Sequence, residues 1–389
     1  MTPLPDYRGG SIVNLTASLI LARGGEEGLY PPLSCIDRDA LEGARNIVLM
    51  VVDGLGYEYL LRHGRGGVLH SHLKGRLTSV FPSTTATAIT TFLTGTAPQQ
   101  HGLTGWFMYV RQMDGVLAVL PFTPRCATPA SAPGISPEEL FDQRSLFDRI
   151  EGPSYQVTPD RIANSHFNVA YRGAAMTVPY RSMTQFIGLI ERTVKADARH
   201  KFVYAYWPDL DKLGHEHGTA SNSVATHFAQ LEYALERLIG ALKDSQTTLI
   251  VTADHGMIDT GPEGVIEVSD HPELAQALIR PLCGERRAAY CYVDPAKAQQ
   301  FESYVRDALA DYATLINSED LIAQGYFGLG DPHPALRERI GDYALLMKDR
   351  YVIKDWVPGE RRHVLLGVHG GLSAEELHVP LVVIETDHP

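Results

Sequence analysis

The sequence predicts an α/β fold: a mostly parallel sheet sandwiched between helices, with a small α+β cap inserted late in the chain. Three observations carry this prediction. Short continuous runs of branched apolar residues recur, most ending in an acidic turn. Amphipathic helical patterns lie between those runs. The stretch 288–357 breaks the alternation, and a final apolar run restores it.

The elements follow in chain order. Asn46 to Val52 (NIVLMVV) reads as a buried parallel strand whose carboxyl end carries Asp53-Gly54. Val110 to Ala163 contains Pro121, Pro124, Pro129, Pro133, Pro137 and Pro153, and reads as a loop-rich excursion over the surface. Phe202 to Trp207 (FVYAYW) is a second strand, ending at Pro208-Asp209. Ser221 to Lys243 reads as a helix with Phe228, Leu231, Leu235, Leu238 and Leu242 on one face. Thr248 to Thr252 (TLIVT) is a third strand, followed by Ala253-Asp254-His255-Gly256. From Ala288 the pattern changes to RAAYCYV-type pairing, a helix over Pro295 to Tyr312 and a Gly-rich turn at 325–330. Val379 to Ile384 then closes the main sheet. The resulting division is a core of 1–287 and 358–389 with an inserted α+β cap at 288–357.

Composition narrows the function classes. The 34 basic and 46 acidic residues give a formal net charge of −12. An acidic chain is unsuited to binding a nucleic-acid scaffold, although a bound cation would still allow a small anionic substrate. Four cysteines, at 35, 126, 283 and 291, form no CxxC pair and are expected to be reduced, mostly buried thiols. No apolar run reaches the roughly 18–20 residues of a membrane helix. The N-terminal apolar stretch is interrupted by Asn14, Thr16 and Ser18, so no secretory leader is expected and the cytoplasm is the expected location.

In open α/β sheets, ligands gather at the carboxyl ends of strands. Asp53 falls there. The Gly54-Leu55-Gly56 that follows lacks the third glycine of a dinucleotide loop. Phe81 to Ala88 (FPSTTATA) places hydroxyls at the start of a helix, where free N–H groups and the positive dipole end suit attack on phosphorus. Asp211 and His215 are four apart and project the same way if that segment is helical, whereas His217 is expected to face solvent and Asp209 is an alternative ligand. Asp254 and His255 follow a strand, and Gly256 permits the turn that would let both face one point. His369-Gly370-Gly371 precedes the last strand. Three Asp, three His and a Thr, each against a strand end or glycine turn, are the set a two-metal hydrolase requires.

The ordered motifs VVDGLG, FPSTTATA, LTGTAPQQHG, DKLGHEHG, TADHGM and HGG resemble those of the alkaline phosphatase superfamily, and within it the nucleotide pyrophosphatase/phosphodiesterase branch. The resemblance covers about 46–275 and 360–385. It implies an alkaline-phosphatase-like core, with Asp53, Asp254 and His255 on the metal that also touches the nucleophile. It implies Asp211, His215 and His369 on a second metal. The nucleophile falls on Thr85, with Thr84 as the neighbouring alternative. The branch's phosphate-binding Asn is replaced by Trp106, whose indole could donate a hydrogen bond, stack on a leaving group or only pack.

The expected protein is therefore a hydrolase of small phosphate esters. It is read as a phosphodiesterase or nucleotide pyrophosphatase acting through a phospho-threonine, with two divalent cations. Mixed imidazole and carboxylate ligands favour Zn²⁺, with Mn²⁺ or Fe²⁺ as alternatives. A phosphomonoesterase, a phosphonate hydrolase and a non-catalytic metal-binding protein are the alternative readings. A monoesterase would need further cationic donors, and no Arg or Lys adjoins Thr85 in sequence.

Overall fold

A computed structural model of the chain describes residues 3–126, 135–360, 362 and 364–386; Pro129 and Pro133 lie outside them. The main sheet has seven strands: β1 (Asn46–Val52), β2 (Leu73–Thr78), β3 (Ser154–Pro159), β4 (Met176–Tyr180), β5 (Lys201–Trp207), β6 (Thr247–Thr252) and β7 (His378–Thr386). Their spatial order is β2-β7-β6-β1-β5-β3-β4. The β6-β1-β5-β3-β4 block is parallel, and β7 runs antiparallel to both neighbours. Every residue of β1, β5 and β6 is buried, as continuous apolar runs covered on both faces should be.

The helices α1 (Ile12–Ala22), α2 (Thr85–Thr94), α3 (Met183–Lys195), α4 (Asp209–His217) and α5 (Asn222–Ala241) are among those flanking this sheet. In α5 the expected face is the buried one, with Phe228, Leu231, Leu235 and Leu238 inside. Ser221 caps its first turn by accepting from the Val224 N–H at 3.3 Å. The 11 residues of α1 are almost wholly buried, and among the described residues no helix is long and apolar enough to cross a membrane.

The Pro-rich stretch is not a simple surface loop. It contains β3, a central-block strand between β5 and β4. Pro153 precedes that strand and Pro159 ends it, so neither removes an interior donor. The same stretch supplies Gly115–Ala118 and Thr123–Pro124 to a second sheet, next to Phe107–Val110. That sheet is antiparallel and seven-stranded; Cys283–Gly284, Ala288–Cys291, Ala313–Asn317 and Tyr343–Met347 complete it. It is therefore wider than the 288–357 insertion alone. The expected helix there is shorter, Ala298–Ala308, because Pro295–Lys297 forms a separate tight turn of helix. All four cysteines are free. Cys283 and Cys291 are buried, but Cys35 and Cys126 are exposed, contrary to the expected burial.

Candidate active site

Strand register assembles the first half of the site. In the parallel ladder Val52 pairs with Trp207 and Val51 with Thr252. The residues just beyond these ends, Asp53 and Asp254-His255, consequently emerge side by side. The Asp53 N–H donates to the Trp207 carbonyl at 2.9 Å, and the Asp211 N–H donates to the Asp53 carbonyl at 3.1 Å, which ties α4 to the end of β1. Gly54 has φ of +77°, and a Cβ there would lie 3.0 Å from the Asp211 backbone. This glycine thus allows both the turn and the approach of α4. Gly256 serves differently from the sequence expectation. A Cβ on it would lie 2.0 Å from the Glu375 carbonyl, so its small size is needed for close packing.

Asp53, Asp254 and His255 present ligand atoms within 4.8 Å of one another, as do Asp211, His255 and His369. His255 Nε2 is 3.4 Å from both Asp53 Oδ1 and Asp254 Oδ2. On α4, Asp211 and His215 do share a face, with His215 Nε2 3.4 Å from Asp211 Oδ1. His369 Nε2 is 3.2 Å from His215 Nε2 and 3.8 Å from Asp211 Oδ1. The six sequence-predicted ligands therefore form one contiguous cluster, with His255 at its centre. Asp209 and His217 do not join it: His217 is exposed and, among the described residues, pairs with no acidic group but its neighbour Glu216.

The partners behind the cluster aim it. Tyr206 donates its hydroxyl to Asp53 Oδ2. The Gly54 and His255 N–H groups donate to Asp254 Oδ1 at 3.2 and 2.9 Å. His215 Nδ1 meets the Gly367 carbonyl at 2.7 Å, and His255 Nδ1 meets the Gly256 carbonyl at 3.0 Å. A carbonyl can only accept, so each Nδ1 carries a hydrogen and leaves Nε2 as the ring nitrogen turned to the cluster. Asp53 Oδ1, Asp211 Oδ1, Asp254 Oδ2 and His369 Nδ1 are buried without a hydrogen-bond partner.

The orphaned carboxylate oxygens are what a cation would satisfy. The electrostatics agree. Burial, then Asp254 and Asp211, push the Asp53 carboxyl well above its ordinary range. Burial also raises Asp254. Burial, then His255 and His215, hold His369 well below the ordinary imidazole value. Carboxylates that resist ionising beside an imidazole that resists protonation are poised for divalent cations, whose charge reverses both effects.

Thr84 and Thr85 part company at the N-terminus of α2. Thr84 is the extended capping residue, buried, and its hydroxyl donates to Glu285 Oε1 at 2.7 Å. Thr85 is partly exposed, and its Oγ1 lies 3.2 Å from His255 Nε2. Both line a pocket of about 370 Å³ together with Asp211, His215 and His369. Trp106 stands in the same wall, 37% exposed. Its backbone N–H donates to Glu285 Oε1 at 2.7 Å, and its indole N–H makes no hydrogen bond among the described residues.

Glu285 is the site residue that sequence reasoning missed. It lies about 200 positions from Thr84 with no motif around it. Burial pushes its carboxyl up to about 7 against the Thr84 and Trp106 hydrogen bonds that lower it. The fold also brings Arg125 and Lys354 to the pocket, but both are engaged: Arg125 with Asp355 at 2.7 Å and Glu360 at 3.1 Å, Lys354 with Glu360 at 3.0 Å.

A mostly parallel sheet with an acidic and imidazole cluster at its carboxyl edge, and a hydroxyl at a helix N-terminus beside it, defines a protein of the alkaline phosphatase superfamily. The chain belongs to the type I phosphodiesterase / nucleotide pyrophosphatase family, whose model matches residues 47–372. Among solved structures it is similar to murine ectonucleotide pyrophosphatase / phosphodiesterase 5, at 19% identity and a TM-score of 0.65, over 86% of this chain and 87% of that one. The human form of that protein aligns at 18% identity and 0.64, over 87% of each chain. Phosphonoacetate hydrolase from Sinorhizobium meliloti 1021 aligns at 17% identity and 0.61, over 88% of this chain and 90% of that one. No curated protein matches it by sequence. Family and fold make the chain a phosphoester hydrolase.

Proposed function

We propose that the chain is a metal-dependent phosphodiesterase or nucleotide pyrophosphatase that works through a phospho-threonine at Thr85. The observation that carries this reading is the Thr85 hydroxyl, free of Glu285 and 3.2 Å from His255 Nε2, in a pocket shared with the Asp/His cluster. Asp53, Asp254 and His255 would hold one cation with Thr85, and Asp211, His215 and His369 the other; the oxygen and nitrogen donors suit Zn²⁺, with Mn²⁺ or Fe²⁺ as alternatives. Bound there, divalent cations would supply Lewis acidity and neutralise charge on the phosphoryl oxygens.

The chain's own groups do the rest. The first turn of α2 offers backbone N–H groups and its positive dipole end to the phosphoryl oxygens. Thr85 Oγ forms a bond to phosphorus while the bond to the leaving oxygen breaks, and the proton given up by Thr85 is balanced by one taken up by that oxygen, which departs as an alcohol or phosphate. Water then attacks phosphorus, and Thr85 Oγ leaves and regains a proton. Phe107, Leu282, Ile353 and Val368 give the pocket an apolar side for an organic group. A variant of the murine relative is described as inactive and in complex with AMP, which supports nucleotides as substrates to try first. The Sinorhizobium relative is described in complex with phosphonoacetate, so phosphonates belong on the same panel.

The deciding experiment is Thr85→Ala beside Thr84→Ala, with acid-quenched mass spectrometry of the wild type during turnover. Thr85→Ala should lose several orders of magnitude in kcat while retaining bound metal, and the quenched adduct should map to Thr85. An active Thr85→Ala protein, or an adduct on Thr84, would overturn the assignment.

A further inference from the structure

The chemistry above makes no use of Glu285. This residue sits in the turn between Cys283–Gly284 and Ala288–Cys291 of the second sheet. Its Oε1 takes both the Thr84 hydroxyl and the Trp106 N–H, each at 2.7 Å. Two donors on one oxygen fix the carboxyl group, and Oε2 has no hydrogen bond or ion pair among the described residues. The side chain is partly exposed in the pocket that holds Thr85, Asp211, His215 and His369. A Cβ on Gly370 would lie 2.6 Å from Glu285 Cβ, so the loop bearing His369 packs directly against it. A carboxyl group thus stands between the loop of the nucleophile and the loop of a candidate ligand, in a site for anions.

We propose that Glu285 sets the charge the site accepts, disfavouring a doubly ionised phosphoryl group and so selecting singly charged diesters and phosphonate monoesters over phosphomonoesters. The inference rests on the phosphoryl group occupying this pocket beside Thr85. A diester keeps one ionisable oxygen, whereas a monoester carries up to two charges near neutral pH because its second pKa is about 6. Above about pH 8, where a carboxyl raised to about 7 is ionised, the additional charge meets a like charge held fixed in a poorly solvated pocket, where repulsion is stronger than in water. Of the wall's cations, Arg125 and Lys354 are already committed to Asp355 and Glu360, and Arg286, which lowers the Glu285 carboxyl, does not outweigh the burial that raises it.

Three substrates sharing one leaving group test this: bis-p-nitrophenyl phosphate, p-nitrophenyl phenylphosphonate and p-nitrophenyl phosphate. Assayed above about pH 8, where Glu285 is ionised, metal-loaded wild type should favour the first two. In Glu285→Gln, whose amide oxygen can still accept from Thr84 and Trp106, the monoester-to-diester ratio of kcat/KM should rise about tenfold, whatever the absolute rates. Glu285→Ala should shift the ratio in the same direction. A constant ratio, with all three rates falling together, would show that Glu285 only braces Thr84 and Trp106. If neither variant folds, the wild type still decides. Turnover of the monoester equal to or faster than that of the phenylphosphonate would overturn the proposal. Failure of the reading beneath it has another signature: no hydrolysis of any of the three.

Discussion

Asp53→Asn should make the metal-free protein more stable and the metal-loaded protein less so. In the chelated protein, the ligand atoms of Asp53 and Asp254 lie within 4.8 Å of each other, Asp53 Oδ1 and Asp254 Oδ2 are unpartnered, and Asp211 is near. Two unit charges at that separation repel by about 3.5 kcal/mol at an effective dielectric constant of 20. Protonation relieves part of this, so the net gain from removing one charge is about 1–3 kcal/mol. The amide oxygen can still accept from Tyr206. The sign with pH follows from the raised carboxyl: the folded state holds the proton more tightly, so the wild type loses stability as pH rises past the ordinary carboxylate range. The advantage of the variant should therefore be larger at pH 8 than at pH 5. With Zn²⁺ at about a thousand times its Kd, the wild type should gain about 4 kcal/mol, and the variant much less. Thermal melts of both proteins, with chelator and with Zn²⁺, read this directly. A variant less stable than wild type in chelator, or an equal Zn²⁺-induced rise in both, would refute the cluster as a charge-frustrated cation site.

Trp106→Ala should cost about 1–3 kcal/mol in kcat/KM for aryl or nucleoside diesters if the ring stacks on them, and less for alkyl diesters, with little change in melting because the residue is exposed. His101 is buried and held down to about 3 by burial. The unfolded chain therefore takes up a proton below pH 6.5 that the folded one refuses, and His101 should lower stability by about 2 kcal/mol between pH 7.5 and pH 5. His101→Gln should flatten that part of the pH–stability curve. Arg287 and Glu376 form a buried pair, with guanidinium-to-carboxylate distances of 3.0–3.3 Å. Arg287→Met should cost about 3–5 kcal/mol by stranding the Glu376 charge, and adding Glu376→Gln should recover part of it.

The legible parts of the fold were those whose sequence carries burial on its face. β1, β5 and β6 are covered on both sides, so each is an uninterrupted apolar run, and their ends marked Asp53 and Asp254. The illegible strands have a different environment. β2 (LKGRLT) and β4 (MTVPY) lie at the two edges of the sheet and alternate or mix polar residues, so their runs are short. β3 (SYQVTP) is central, but its polar residues and flanking prolines hid it. Within the site, the Asp211 and His215 pairing was readable because i,i+4 spacing on one helix is local. His369 was not readable from spacing, since only the tertiary fold places it 154 residues from His215 in sequence and 3.2 Å away in space. The family motifs supplied what local physics could not.

The family resemblance placed the nucleophile on Thr85, but local sequence physics could not separate it from Thr84. The two residues have the same side chain and adjacent positions; what distinguishes them is the turn from extended cap to first helical residue, which points one hydroxyl inward and the other toward His255. The inward one is then held by Glu285, a residue from a distant hairpin that also holds Trp106. One carboxyl group therefore links the residue before the candidate nucleophile, the position where the family pattern offers an Asn, and the loop behind His369. The bond from position 106 to Glu285 comes from the backbone N–H, so it does not depend on the side chain there. Trp106→Asn on its own should thus leave a carboxyl group facing the phosphoryl pocket, and should not convert the site to the family pattern unless Glu285 is neutralised as well.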